Sequence, residues 1–88
     1  MTQAVPRLTL DALAVGAAAI VTEVARGDVA EDGVSLSRRL MELGFVPGEK
    51  VRLLKRGMPG GEPLAIRVGN STFALRRFEA ALISIQPE

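Results

Sequence analysis

The side chains able to do chemistry in this 88-residue sequence are few and of limited kind. There is no His and no Cys, which excludes imidazole acid–base catalysis, thiolate nucleophiles, disulfides and the usual nitrogen and sulfur ligands of zinc. Carboxylates remain. Asp28, Glu31 and Asp32 gather between Gly27 and Val34, and clustered oxygen donors suit a hard divalent cation held weakly at a surface. Their spacing is not that of a calcium loop. The expectation is therefore a solvated acidic connection, with no cofactor and no intrinsic metal site, and with these three residues as the candidates for a surface divalent metal. The other carboxylates fall in turns and at outward positions of strand-like runs, which gives a general acid and base no shared cleft. No enzyme is expected. The glycine-rich run GMPGGEP, residues 57–63, is no phosphate cradle either, because it lacks the Lys-Ser/Thr ending and joins two strand-like segments instead of opening a helix.

Basic side chains are the second resource. Between Arg38 and Arg77 there are nine Lys or Arg against three Glu, although the whole chain carries only +1. Concentrated on one face, such an excess attracts an acidic protein, an RNA or an anionic membrane; distributed over the outer faces of strands, it is ordinary solvation. Single-strand nucleic-acid binders need aromatic platforms for stacking. Only Phe45, Phe73 and Phe78 are available, and the pattern assigns Phe73 to the core. Nucleic acid is not expected as a partner, and a small barrel binding RNA or another protein through its basic face stands as the alternative reading.

The elements that must position these side chains are short. Hydrophobic residues make up 48% of the chain and charged ones 24%, the balance of a folded globular domain, and nine Gly and five Pro favour many tight turns around an aliphatic sheet. The longest apolar run, Ala12 to Val21, is about half the length of a membrane span. Asp11 interrupts the basic-then-apolar order of a signal peptide, so a cytoplasmic location without membrane insertion is expected. A helical turn from Thr9 to Leu13, with Thr9 as its cap, precedes Gly16. A strand from Ala17 to Arg26 should place Ile20, Thr22 and Val24 on one face and Glu23 on the other.

Ser35 then starts a helix whose Leu36, Leu40 and Leu43 follow the spacing of one apolar stripe, with Met41 beside it and partly exposed. Gly44 ends that helix in a left-handed conformation, and Pro47-Gly48 turns the chain into the next strand. Val51 and Leu53 point inward there, Arg52 outward, and the doubled leucine at 54 marks a bulge or a two-sided position. Gly60 and Gly61 supply positive φ in the following loop. Leu64, Ile66 and Val68 face inward, Gly69-Asn70 makes a two-residue hairpin turn, and Phe73 and Leu75 return inward. A helical turn at Arg77–Ala81 leads to a last strand with Ile83 and Ile85 inside. Five or six twisted strands with one or two short helices make a small, mainly β barrel.

Two ordered blocks of residues carry a resemblance. Leu40, Leu43, Gly44, Pro47, Gly48 and Val51 form the first; Pro63, Gly69, Ala74, Leu75, Arg76, Glu79, Ala80 and Ile83 form the second. Together they resemble the FeoA family, small cytosolic accessory proteins of bacterial ferrous-iron transport. The resemblance implies one SH3-like β-barrel domain over residues 1–88, similar to the C-terminal domain of iron-dependent repressors, without room for their helix-turn-helix. It further implies a non-enzymatic adaptor at the inner face of the cytoplasmic membrane, whose partner is the cytosolic part of the FeoB-type GTPase transporter. Arg38, Arg39, Met41 and Glu42 on the short helix, with Arg52 or Arg76 near them, are the expected partner-binding residues. Exposed strand edges leave a homodimer open.

Overall fold

The computed structural model describes residues 8–25, 36–57 and 60–88; the acidic residues Asp28, Glu31 and Asp32 and the expected helix cap Ser35 lie outside them. Six strands form one antiparallel sheet: β1 (Leu8–Thr9), β2 (Ala18–Val24), β3 (Lys50–Arg56), β4 (Leu64–Val68), β5 (Ser71–Leu75) and β6 (Ile83–Pro87). Their order across the sheet is β1-β6-β2-β3-β4-β5. A 3-10 turn at Leu10–Ala12 follows β1, α1 (Leu36–Leu43) precedes β3, and α2 (Arg77–Ala80) links β5 to β6.

Alternation makes the strands. In β3, Val51 and Leu53 are buried while Lys50, Arg52, Leu54 and Lys55 are exposed. The pairing with β4 slips between Leu53 and Lys55, so of the two readings of the doubled leucine, bulge or two-sided position, the bulge holds. In β4 the buried positions are Leu64, Ile66 and Val68, and Gly69 at φ 59° closes the hairpin onto β5, a positive first-position φ of the kind that matches strand twist. Inward residues from every strand but β1 join Leu10, Leu13, Leu40, Phe45 and Ala80 in one core, and Leu8 of β1 packs against it. Burial of each leucine-sized side chain contributes roughly 1.5–3 kcal/mol.

Three expectations are corrected. In β2 the buried residues are Ala19 and Val21, whereas Ile20 is half-buried and Thr22 exposed. A register shift against β6 between Val21 and Glu23 then restores Val24 to the core side, because one extra residue inverts the alternation. Thr9 makes no side-chain cap bond to a backbone N–H of the turn it precedes; its hydroxyl donates instead to the Asp11 carboxylate. Leu43 does not complete the buried stripe of α1. The Gly44 N–H donates to the Met41 carbonyl (3.0 Å) and the Phe45 N–H to the Leu40 carbonyl (3.1 Å), with Gly44 at φ 118°, which is a Schellman cap. That cap turns Phe45 into the core, where it is fully buried, and leaves Leu43 exposed.

Candidate functional site

α1 has two unlike faces. Leu40 is 1% exposed and Ser37 is buried beside it, so this side lies on the core. Arg38, Arg39, Met41 and Glu42 are exposed. Arg38 Nε stands 3.5 Å from Glu42 Oε2 one turn away, an exposed i,i+4 pair that orients the two side chains more than it stabilises the helix. Met41 is 41% exposed, Leu43 36% and Val46 37%. Three large apolar side chains thus stand in water within the six residues 41–46, flanked by charges. Single exposed apolar residues are ordinary; Met41 and Leu43, two positions apart on α1, lie on opposite flanks of the buried Leu40, with Met41 one turn from Arg38 and Leu43 one turn from Arg39, and exposed apolar side chains set beside charges have the make-up of contact residues. Leu43 and Val46 escaped the sequence reading. Their signal was position alone: both flank the Gly44-Phe45 cap, which can send only one side chain inward.

The other two expected contact residues lie elsewhere. Arg52 projects from the outer face of β3, opposite to the side on which Val51 and Leu53 meet the core, and its Nη1 donates to the Gly16 carbonyl at 2.6 Å. It helps line an open groove of about 320 Å³ with Ala18, Lys50, Leu54, Arg67 and Gly69. Arg76 follows β5, past the Leu64↔Leu75 pair, whereas the end of α1 reaches the opposite end of β4, where Gly44 lies against Val68. Four strand residues, roughly 13 Å, separate those ends. Arg76 instead opens α2: its N–H donates to Glu79 Oε1 at 2.7 Å. The structure therefore groups Arg38, Arg39, Met41 and Glu42 and sets Arg52 and Arg76 apart from them.

Several of the basic residues serve the backbone. Arg56 is half-buried and its Nη2 donates to the carbonyls of Asp11 and of Leu13, the latter at 3.2 Å. This joins β3 to the 3-10 turn. Arg77 Nη2 donates to the Gly60 carbonyl at 3.1 Å. With Arg52 so engaged as well, the excess positive charge of residues 38–77 is partly structural rather than a free cationic field. Among the described residues, no three Asp or Glu side chains come together as a metal site would require, and no helix is long and apolar enough to cross a membrane.

Comparison with known families decides the relationship. The FeoA domain model matches residues 8–87. The chain belongs to the FeoA family. Among solved structures, Stenotrophomonas maltophilia FeoA, crystallised in complex with zinc and described as a prokaryotic SH3 domain protein, is 43% identical over 90% of this chain and 89% of its own, with a TM-score of 0.77. Iron(II) transport protein A from Clostridium thermocellum is 30% identical over 91% of this chain and 45% of its own, TM-score 0.76. A manganese-dependent transcriptional repressor superposes with a TM-score of 0.73 at 16% identity, over 94% of this chain and 42% of its own, a likeness of fold alone. A search of curated proteins found no match. The FeoA chain described here is thus a mainly β, SH3-like domain whose fold is shared with metal-dependent repressors.

Proposed function

We propose that this FeoA protein is a non-enzymatic accessory factor of ferrous-iron uptake, acting in the cytoplasm at the inner face of the membrane by docking on the cytosolic part of an FeoB-type transporter. Membership of the family supports the link to iron transport. The observation that carries the docking is the exposed surface of α1, where Met41 stands one turn from Arg38 and Leu43 one turn from Arg39 on either flank of the buried Leu40. Exposed apolar side chains set among charged ones suit a protein partner. RNA binding through the basic face is the weaker reading, since Arg52, Arg56 and Arg77 are engaged by backbone carbonyls and Phe45 is buried in the core.

The S. maltophilia relative holds zinc. This chain has neither His nor Cys, and a site built from carboxylates alone is poorly matched to zinc or ferrous iron at high affinity. Its part in iron transport is therefore to contact the transporter, with iron as the transporter's cargo. Calorimetric titration of the purified cytosolic part of FeoB with wild-type protein and with Met41→Asp tests the reading. Binding by the wild type that the folded variant loses supports it; equal binding by both removes α1 from the interface.

A further inference from the structure

We infer that β5 is a self-recognition edge, through which two copies of this chain pair antiparallel about a two-fold axis at Phe73, extending the sheet from one molecule to the next.

Backbone hydrogen bonds and strand register identify the free edge. The Leu53 N–H donates to the Ala17 carbonyl (3.1 Å), and the Leu53 carbonyl accepts from Gly16 (2.6 Å). Leu53 therefore directs its backbone groups toward β2. Its neighbour Arg52 must then direct its own toward β4, where it is opposite Arg67, because backbone groups alternate sides along a strand. Arg67 accordingly faces β3, and Ile66 and Val68 face β5. Their partners are Phe73 and Ser71. Thr72 and Ala74 are left with N–H and C=O groups pointing away from the sheet. The hairpin turn at Gly69-Asn70 gives the same answer, since the residues flanking a two-residue turn form a bonded pair.

Nothing among the described residues covers that edge. β5 ends the strand order, and its Ser71, Thr72 and Ala74 are exposed. The opposite edge, β1, is only two residues long, a common way of blunting an edge. β5 carries none of the usual protection: Ser-Thr-Phe-Ala-Leu contains no charge and no proline.

A second copy fits because the edge is complementary to itself. With Phe73 on the axis, Thr72 faces Ala74 of the second copy and Ala74 faces its Thr72, so each pair exchanges two backbone hydrogen bonds in phase. Phe73 meets its own copy at a non-bonded position, where cross-strand side chains stand closest and an aromatic pair is favourable. Ser71 faces Leu75, and Arg76 faces Asn70, so no like charges are directly opposed in this register.

The register makes a reciprocal test. Thr72→Lys places a charge on the edge and raises the dimer dissociation constant at least about tenfold. Adding Ala74→Glu to the same chain sets the introduced ammonium at position 72 opposite the introduced carboxylate at position 74 of the second copy, on both sides of the axis, and recovers affinity. Sedimentation equilibrium over a concentration series reads the constants, and amide exchange of the wild type reads the edge directly: Thr72 and Ala74 gain protection with concentration. Failure of the double variant to recover affinity, with both variants folded by their amide spectra, overturns the inference. So does a wild type whose Thr72 and Ala74 exchange does not change with concentration, or changes only when another protein is added. These readouts use the chain alone, so they stand or fall separately from transporter docking.

Discussion

At Leu40 the side chain is 1% exposed and belongs to the core cluster beneath α1, so truncation removes buried apolar surface and leaves a cavity. Leu40→Ala is expected to cost roughly 2–5 kcal/mol, read from the midpoint shift in urea unfolding. That is a large share of the stability of a domain this small. Gly57 is constrained differently. Its φ is ordinary, but a Cβ there would lie 2.4 Å from the Glu62 carbonyl oxygen, and the Gly57 N–H is bonded to the Pro63 carbonyl (2.9 Å). The loop between β3 and β4 can move away only by breaking that bond. Gly57→Ala should therefore destabilise by about 1–3 kcal/mol, visible as a lower melting temperature, and an unchanged melting temperature would mean the loop yields without strain.

At the scale of elements, Arg56 is the tie between β3 and the 3-10 turn. Replacing it with Met keeps the stem and removes the donors, orphaning carbonyls of Asp11 and Leu13; a loss of about 1.5–3 kcal/mol is expected in thermal or urea unfolding. Glu42→Gln breaks only the exposed pair with Arg38 and should change stability by less than ~0.5 kcal/mol, a contrast that separates buried ties from surface ones. The elements also show which features local sequence specifies. The β4–β5 hairpin was legible because alternation and Gly-Asn punctuation agree; two adjacent leucines cannot both alternate, which left the β3 bulge as one of two readings, a two-sided position being the other, until the pairing register decided it. The β2 phase was not, since a bulge at Val21/Glu23 reverses the alternation without any punctuating residue. β1 was invisible: two residues have no period. In α1 the helical spacing named Leu40 and the exposed Met41 correctly, and it failed at Leu43 because the glycine cap ends the helical period and hands the inward position to Phe45. The bonds from Arg56 and Arg77 to distant carbonyls follow from the tertiary fold, which no window of sequence contains.

For the whole molecule, one core serves six strands, and the surface divides into areas of different character. The sheet's outer face carries Arg52 and Arg67 around an open groove that also holds the exposed Leu54, β5 offers a neutral edge, α2 exposes Phe78 between Arg77 and Glu79, and α1 presents Met41 and Leu43 among Arg38, Arg39 and Glu42. Docking is proposed at α1 because two exposed apolar side chains and three charged ones share that one short helix. Met41→Asp should leave the core intact, since Met41 stands outside it, and should reduce affinity for the transporter's cytosolic part at least about tenfold, the scale of an anchor residue. Unfolding of that variant would instead place Met41 in the core.

The most direct measurement is a titration of isotope-labelled protein with the purified cytosolic part of FeoB from the same cell, with and without a GTP analogue, followed through backbone amide shifts. Saturable shifts concentrated at residues 38–46, on α1 and its cap, are expected. An absence of shifts in every nucleotide state, or saturable shifts confined to the outer face around Arg52 and Arg67, would contradict docking through α1.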